Sequence, residues 1–196
     1  WVPDHSTSTL LRRIHEVSLV PEVKAVFLDR DGTLNDNTKG HVHRKEDFHF
    51  LPSVVPALRK LSCSEYKIIV VANQSGTARA DYTKKDAEAL FVWMKKELKK
   101  QGVHIDATYY CPHRAEDKCS CRKPGIGMFL KASQHFGLNL SKSWMVGDNE
   151  SDIQAGRNAN TKTVLLGKKA DFSSKIRPHH RVSNMREAVK IILSNQ

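Results

Sequence analysis

Three shortages bound this 196-residue sequence before any motif is considered. Acidic residues are outnumbered, 21 Asp and Glu against 32 Lys and Arg, which leaves a net charge of +11. Aromatic residues make up only 7%, and neither an RNA-binding aromatic motif nor a helix-turn-helix pattern accompanies the basic charge. Long apolar runs are missing, with nothing approaching the ~18 residues that a membrane span needs. Cysteine is scarce as well, four in all, yet three of the four crowd into "CPHRAEDKCSCRKP", Cys111 to Pro124. What is present is ordinary: 39% hydrophobic and 27% charged residues, the balance of a soluble globular chain. The length suits one domain with a real core.

The surplus of basic residues suits polyanions or phosphorylated molecules as partners, and it equally suits a solvated basic surface. Its densest stretch, "MKKELKKQG" from Met94 to Gly102, has helical spacing, with Trp93 and Leu98 as the apolar members. That is the wet face of an amphipathic helix more than a nucleic-acid stripe. The organisation alternates. Apolar strands are expected at Val23 to Asp29, Tyr66 to Asn73, Ile105 to Cys111, in "SKSWMVGDN", in "TKTVLLG" and, briefly, in "HRVSN". Between them lie helical patterns at Ser53 to Ser62, at Thr83 to Lys100, in "IGMFLKASQHFG", in "SDIQAGRNA" and in "MREAVKIILSNQ". Gly137 supplies the usual terminator of the third. The alternation implies an α/β fold, a doubly wound parallel sheet flanked by helices, with ligands at the carboxyl ends of its strands. Residues 1–22 read as a short helical arm and 23–196 as the single domain.

Acidic groups fall where such a fold would use them. In "FLDRDGTLN", Asp29 ends an apolar strand, Asp31 follows two residues later, and Gly32 and Thr33 turn the chain. Alone, this pair is also what a capped loop would contain. A second pair, Asp148 and Asp152, follows a strand ending in "MVGD", and in a parallel sheet both pairs reach the same edge. Carboxylates that converge repel one another unless a cation neutralises them, and hard oxygen ligands favour magnesium. Magnesium held by carboxylates beside a substrate phosphate is an arrangement for phosphoryl transfer. An aspartate can take the phosphoryl group itself, and a second can protonate the leaving oxygen and then activate water.

"DRDGTLN", "ANQSG", "CRKP" and "GDNESD" follow, in order and spacing, the four motifs of the haloacid dehalogenase superfamily. With "NQSGTARADYT" and "YYCPH" between them, the chain resembles the subgroup of heptose bisphosphate and histidinol phosphate phosphatases over about Val23 to Gln196. The resemblance implies Asp29 as nucleophile and Asp31 as general acid and base. It implies magnesium on Asp29, Asp148 and the backbone carbonyl of Asp31. It makes Lys123 the lysine that pairs with nucleophile and phosphoryl group, and Arg122 the residue that recognises other polar groups of the substrate. Arg30, Asn73, Gln74, Ser75 and, more loosely, Lys39, Gly40 and His41 are expected on the substrate side. Where the family usually has a hydroxyl before the asparagine this chain has Ala72, which implies a slower reaction or, in the extreme, a non-catalytic binding module. Asn149 stands where a lysine is common.

Cys111, His113, Cys119 and Cys121 form C-x-H, five residues, then C-x-C. Three thiolates and one imidazole are the closed tetrahedral set of structural zinc. A disulfide is disfavoured because nothing indicates secretion and it would leave His113 without a role. The resembling phosphatases carry zinc at these four positions, which would hold Arg122 and Lys123 at the mouth of the site. Cys63 stands apart and reads as a packing residue, and His41, His43 and His49 as one face of an extended segment. The spacing between motifs leaves no room for a large cap domain, so the site is expected to be open. The expected substrate is a phosphorylated sugar such as D-glycero-D-manno-heptose 1,7-bisphosphate, with histidinol phosphate and a 3′-phosphorylated nucleic-acid end as alternatives. A cytoplasmic monomer without a membrane partner is the remaining expectation; a nucleic-acid partner is not favoured.

Overall fold

The computed structural model describes residues 23–38, 40, 42–167 and 176–195. The expected arm at 1–22, and Lys39 and His41, lie outside the described residues. Six apolar segments become strands: β1 (Ala25–Leu28), β2 (Lys67–Asn73), β3 (Ala107–Cys111), β4 (Trp144–Gly147), β5 (Lys162–Leu166) and β6 (His180–Val182). Five helices accompany them: α1 (Val54–Leu61), α2 (Lys84–Lys100), α3 (Gly127–Phe136), α4 (Glu150–Asn158) and α5 (Met185–Ser194). Each expected strand and helix is present; most ends move inward by up to three residues as turns take over, and α4 starts one residue earlier than expected, at Glu150.

Local chemistry sets those ends. The Thr83 hydroxyl accepts from the Asp86 N–H while the Asp86 carboxylate accepts from the Thr83 N–H, a reciprocal cap that starts α2. α3 stops at Gly137, whose φ of 65° is the left-handed conformation glycine adopts without strain. On α2, Phe91, Met94 and Leu98 are buried, and Lys96, Lys99 and Lys100 lie in solvent, so the lysine cluster is the wet face that the spacing predicts. Cys63 departs from expectation. α1 ends at Leu61, and the turn beyond carries Cys63 into solvent with its thiol donating to the Arg59 carbonyl at 3.5 Å.

All sheet pairings are parallel and the strand order is β3-β2-β1-β4-β5-β6. Alternating strand residues feed two separate cores. Val26, Leu28, Ile68 and Val70 pack with α1, α2 and α5. Phe27, Ile69, Val71 and Met145 pack with α3 and with Ala155 of α4. The chain runs outward from β1 through β2 to β3, crosses back, and runs outward the other way from β4. Neighbours β1 and β4 therefore mark the switch point, and the crevice beyond their carboxyl ends is where such sheets hold ligands. Among the described residues no inserted domain interrupts the strand connections, and no helix is long and apolar enough to cross a membrane.

Candidate active site

The switch point fixes where the acids leave the sheet. The Asp29 N–H donates to the Val146 carbonyl at 2.9 Å, extending the β1–β4 ladder by one residue. Asp148 follows β4 directly. Gly32 turns the loop after β1 with φ of +81°, and a Cβ there would lie 2.3 Å from Asp148 Oδ2. Only glycine lets the two acidic loops come this close. α4 then starts two residues past Asp148 and returns Asp152, whose Oδ2 accepts from the Asn149 N–H at 3.0 Å. Carboxylate oxygens of Asp29, Asp148 and Asp152, all buried, lie within 4.8 Å of one another.

Lys123 enters this cluster from the connection between β3 and α3. Its Nζ contacts Asp29 Oδ1 at 2.5 Å and Asp152 Oδ1 at 2.7 Å, and donates to the Val71 carbonyl at 2.8 Å. Burial works against the ammonium, but Asp152 and Asp29 outweigh it and hold its pKa above the ordinary value. Burial drives the Asp29 carboxyl up to about 8 against the pull of Lys123, with Asp152 and Asp31 adding to the rise. Three buried carboxylates facing one ammonium carry surplus negative charge on hard oxygen donors, which fits a hard divalent cation.

Asp31 is held by a different set. Arg30 forks onto it, Nε to Oδ1 at 3.0 Å and Nη2 to Oδ2 at 2.6 Å. Asn35 Nδ2 donates to Oδ1 at 3.1 Å and Gln74 Nε2 to Oδ2 at 3.0 Å. Arg30 is only 1% exposed, with its guanidinium 5.2 Å over the Phe91 ring and Nη2 donating to the Val42 carbonyl. A bidentate carboxylate and an aromatic face make that burial tolerable. The motif reading expects Arg30 on the substrate side; in the structure its side chain is turned onto Asp31.

The other residues expected on the substrate side are also engaged. Asn73 brackets the Lys123 peptide, its Oδ1 accepting from the Lys123 N–H at 3.0 Å and its Nδ2 donating to the Lys123 carbonyl at 3.1 Å. Ser75 Oγ accepts from Arg79 Nη1 at 3.0 Å. Arg122 is half-buried and donates from Nη1 to the His113 carbonyl at 3.2 Å. Ala72 is buried in the core on the α1–α2–α5 side of the sheet. Gly40 is exposed, with φ of 102°. A cavity of about 660 Å³ shares Gly32 and Asp148 with the acid cluster and continues to Asn37, Ser53 and Asn184. A second, of about 570 Å³, is lined by Ser75, Arg79, Arg114 and Arg122.

The cysteine loop forms its own compact cluster. Cys111 closes β3 in register with Asn73. Its Sγ lies 3.5 Å from His113 Nδ1, 3.5 Å from Cys119 Sγ and 3.2 Å from Cys121 Sγ. Cys119 and Cys121 are 3.5 Å apart, and His113 Nδ1 is 3.2 Å from Cys121 Sγ. No disulfide joins them. Three sulfurs and one imidazole nitrogen within 4.8 Å of one another fit a tetrahedral ion with soft to borderline preferences. Burial pushes the Cys111 thiol up. At Cys119 burial is outweighed by the Arg122 N–H and the two neighbouring thiols, which bring it down to about 7. The backbone of Arg122 is therefore part of the surroundings of this cluster.

Of the residues singled out by motif, the structure brings Asp29, Asp148 and Lys123 together and, separately, the four cysteine-loop residues. Motif reading paired Asp152 with Asp148 but did not give it Lys123 as a partner, and it missed Asn35 and Tyr82. Tyr82 donates its hydroxyl to Gln74 Oε1 at 2.7 Å; "NQSGTARADYT" contains both residues, but its letters do not signal that they meet.

Known proteins agree with this geometry. Residues 24–185 match the family described as polynucleotide kinase 3 phosphatase. The D-glycero-beta-D-manno-heptose-1,7-bisphosphate 7-phosphatase of Helicobacter pylori is 42% identical over 144 residues, covering 73% of this chain and 83% of that protein. The D-glycero-alpha-D-manno-heptose-1,7-bisphosphate 7-phosphatase of Campylobacter jejuni is 43% identical over 145 residues, 74% of this chain and 83% of that one. The crystal structure of D,D-heptose 1,7-bisphosphate phosphatase from B. bronchiseptica, complexed with magnesium and phosphate, superposes with a TM-score of 0.82 at 26% identity, covering 89% of this chain and all of that one. Sequence, sheet order and acid placement converge: the chain belongs to the polynucleotide kinase 3 phosphatase family, within the haloacid dehalogenase superfamily.

Proposed function

We propose that the chain is a magnesium-dependent phosphomonoester hydrolase acting on a sugar bisphosphate, with D-glycero-D-manno-heptose 1,7-bisphosphate as the favoured substrate. The observation that carries this reading is the buried cluster of Asp29, Asp148 and Asp152 around Lys123 at the switch point. Relatives above 40% identity that are named for this substrate support the choice.

Asp29 Oδ2 attacks the phosphorus in line with the leaving oxygen, forming an aspartyl-phosphate and releasing the sugar. Asp31, held by Arg30, Asn35 and Gln74, protonates the departing oxygen and later takes a proton from the water that cleaves the phosphoenzyme. Lys123 keeps Asp29 oriented and faces the charge that develops on the phosphoryl oxygens. Magnesium, held by Asp29, Asp148 and the Asp31 carbonyl, would neutralise the surplus charge of carboxylates and phosphate. Zinc on Cys111, His113, Cys119 and Cys121 would be structural, since four protein donors close its shell. Its role would be to fix the loop that presents Arg122. The uncapped crevice leaves selectivity to such loops.

The test is a panel of esters with purified protein and magnesium: the heptose bisphosphate, histidinol phosphate and a 3′-phosphorylated oligonucleotide. Phosphate release should be fastest from the heptose bisphosphate and should vanish in Asp29→Asn with the fold intact. Turnover retained by Asp29→Asn removes Asp29 as nucleophile, and preference for the oligonucleotide removes the sugar bisphosphate as substrate. Metal analysis should find about one zinc per chain, the content of a single four-ligand site.

A further inference from the structure

We propose that Tyr82 is a positioning residue for the reaction, acting on Asp31 through the side-chain amide of Gln74. The inference rests on the phosphatase reading above and adds to it a residue outside the four motifs.

The contacts form one chain of donors. Tyr82 donates its hydroxyl to Gln74 Oε1 at 2.7 Å, and Gln74 donates from Nε2 to Asp31 Oδ2 at 3.0 Å. Gln74 is buried, 3% exposed. A glutamine amide can be placed in two orientations that fill the same space, and only one offers N–H to its neighbour. With the Tyr82 hydroxyl donating to oxygen, the nitrogen must face Asp31. Without that hydroxyl the amide is free to turn, and Oε1 would then draw the Asp31 proton away from the leaving oxygen before transfer and face a bare carboxylate, acceptor against acceptor, after it. The cost of leaving buried polar groups unpaired is what Tyr82 applies to select one orientation.

Tyr82 is itself held in place. A Cβ at position 76 would fall 2.2 Å from Tyr82 Cε1, so Gly76 leaves the space that the ring fills. His43 stacks on the other side at 5.0 Å between centroids and 5° between planes. Tyr82 also immediately precedes Thr83, the capped start of α2. Burial raises the phenol above its ordinary value, which keeps the proton that the donor role requires. Arg30 and Asn35 hold Asp31 from its other edges; the Asn35 amide is oriented by the backbone carbonyl of Asp36, whereas the Gln74 amide is oriented by a side chain, Tyr82.

The experiment separates positioning from packing by the leaving group. Tyr82→Phe keeps the ring and deletes the hydroxyl. In the magnesium-loaded enzyme, kcat/KM is measured on the heptose bisphosphate, whose alkoxide must be protonated as it leaves, and on p-nitrophenyl phosphate, whose phenolate leaves without a proton. A residue acting through the general acid affects only the first. Expected is a loss of about tenfold on the alkyl ester, a fraction of the general-acid contribution, and less than about twofold on the aryl ester. In an Asp31→Asn background, Tyr82→Phe should cause no further loss on the alkyl ester. Equal losses on both esters would make Tyr82 a packing residue, and no loss on either would leave the hydroxyl without a role; both overturn the proposal. Wild-type protein that turns over neither ester overturns the phosphatase reading, and the proposal with it.

Discussion

Lys123 and Arg122 share a peptide bond but are anchored differently. Lys123 is 3% exposed; its ammonium touches Asp29, Asp152 and the Val71 carbonyl, and its peptide is bracketed by Asn73. Arg122 is half-buried and makes one side-chain hydrogen bond, to the carbonyl of His113. Its backbone N–H turns towards Cys119. One residue is fixed by the sheet edge and the other by the cysteine loop. The proposed zinc therefore governs the second cation far more than the first, although both follow the last thiol in sequence.

The largest test of this division is Lys123→Met. It leaves Asp29 and Asp152 buried without a countercharge, and breaking a buried pair of this kind costs about 3–5 kcal/mol. At about 2–4 °C per kcal/mol for a chain of this size, the metal-free melting temperature should fall by about 10 °C. Turnover should drop by about 10³-fold, the upper end for losing one electrostatic stabiliser. Thermal melts and phosphate release in one buffer check both. A melting temperature that holds would mean the cluster is not buried as described.

Next comes the loop. Cys119→Ala should strip the metal and loosen His113 and Arg122 together. Misplacing a binding group by about 1 Å can cost roughly 10²-fold, and here the loss should fall mainly on KM. The magnesium concentration for half-maximal rate should stay fixed, because the carboxylates do not depend on the loop. Arg122→Ala should show the same direction at a smaller size, about tenfold in KM, the scale of one charge-assisted hydrogen bond. If Cys119→Ala lowers kcat as strongly as Lys123→Met does, the two anchors are not separate.

What the sequence revealed follows the same division. Strand positions, the alternation with helices and both acid pairs were legible, because an apolar run ending in acid has one natural place in a parallel sheet. The cysteine set was legible from its spacing, since thiols and an imidazole so close in sequence can converge without help from the rest of the fold. Beyond the Lys123–Asp29 pair that the resemblance implies, partnerships across the sheet were not legible. That Asp152 meets Lys123, or that Asn73 holds a peptide 50 residues away, depends on strand register and on which way a helix start faces. Arg30 is the sharpest case. Its place between two aspartates reads as a ligand contact, and its burial becomes intelligible only with the fork onto Asp31, the Val42 carbonyl and the Phe91 ring supplied by α2. Cys63 is the reverse, an apolar letter that a helix end carries into water.

The smallest predicted effect separates the two anchors most cleanly. Asn73→Ala removes the bracket on the Lys123 peptide and leaves the thiol cluster intact, because Cys111 is held by the β2–β3 ladder and not by the Asn73 side chain. The Lys123 N–H and carbonyl lose their partner, yet its ammonium keeps Asp29, Asp152 and the Val71 carbonyl. The lysine should then drift rather than leave. A net loss of about 1 kcal/mol, the low end for two hydrogen bonds, corresponds to roughly fivefold in rate. That loss should appear in kcat, where the charge developing on phosphate meets Lys123, with KM close to wild type because Arg122 has not moved. Cys119→Ala should give the opposite split, KM raised and kcat nearly kept. Steady-state kinetics on one sugar bisphosphate, with zinc content measured on the same preparations, distinguishes them. A rise in KM together with lost zinc in Asn73→Ala would mean that Asn73 supports the loop as a whole, and the two cations would then share one anchor.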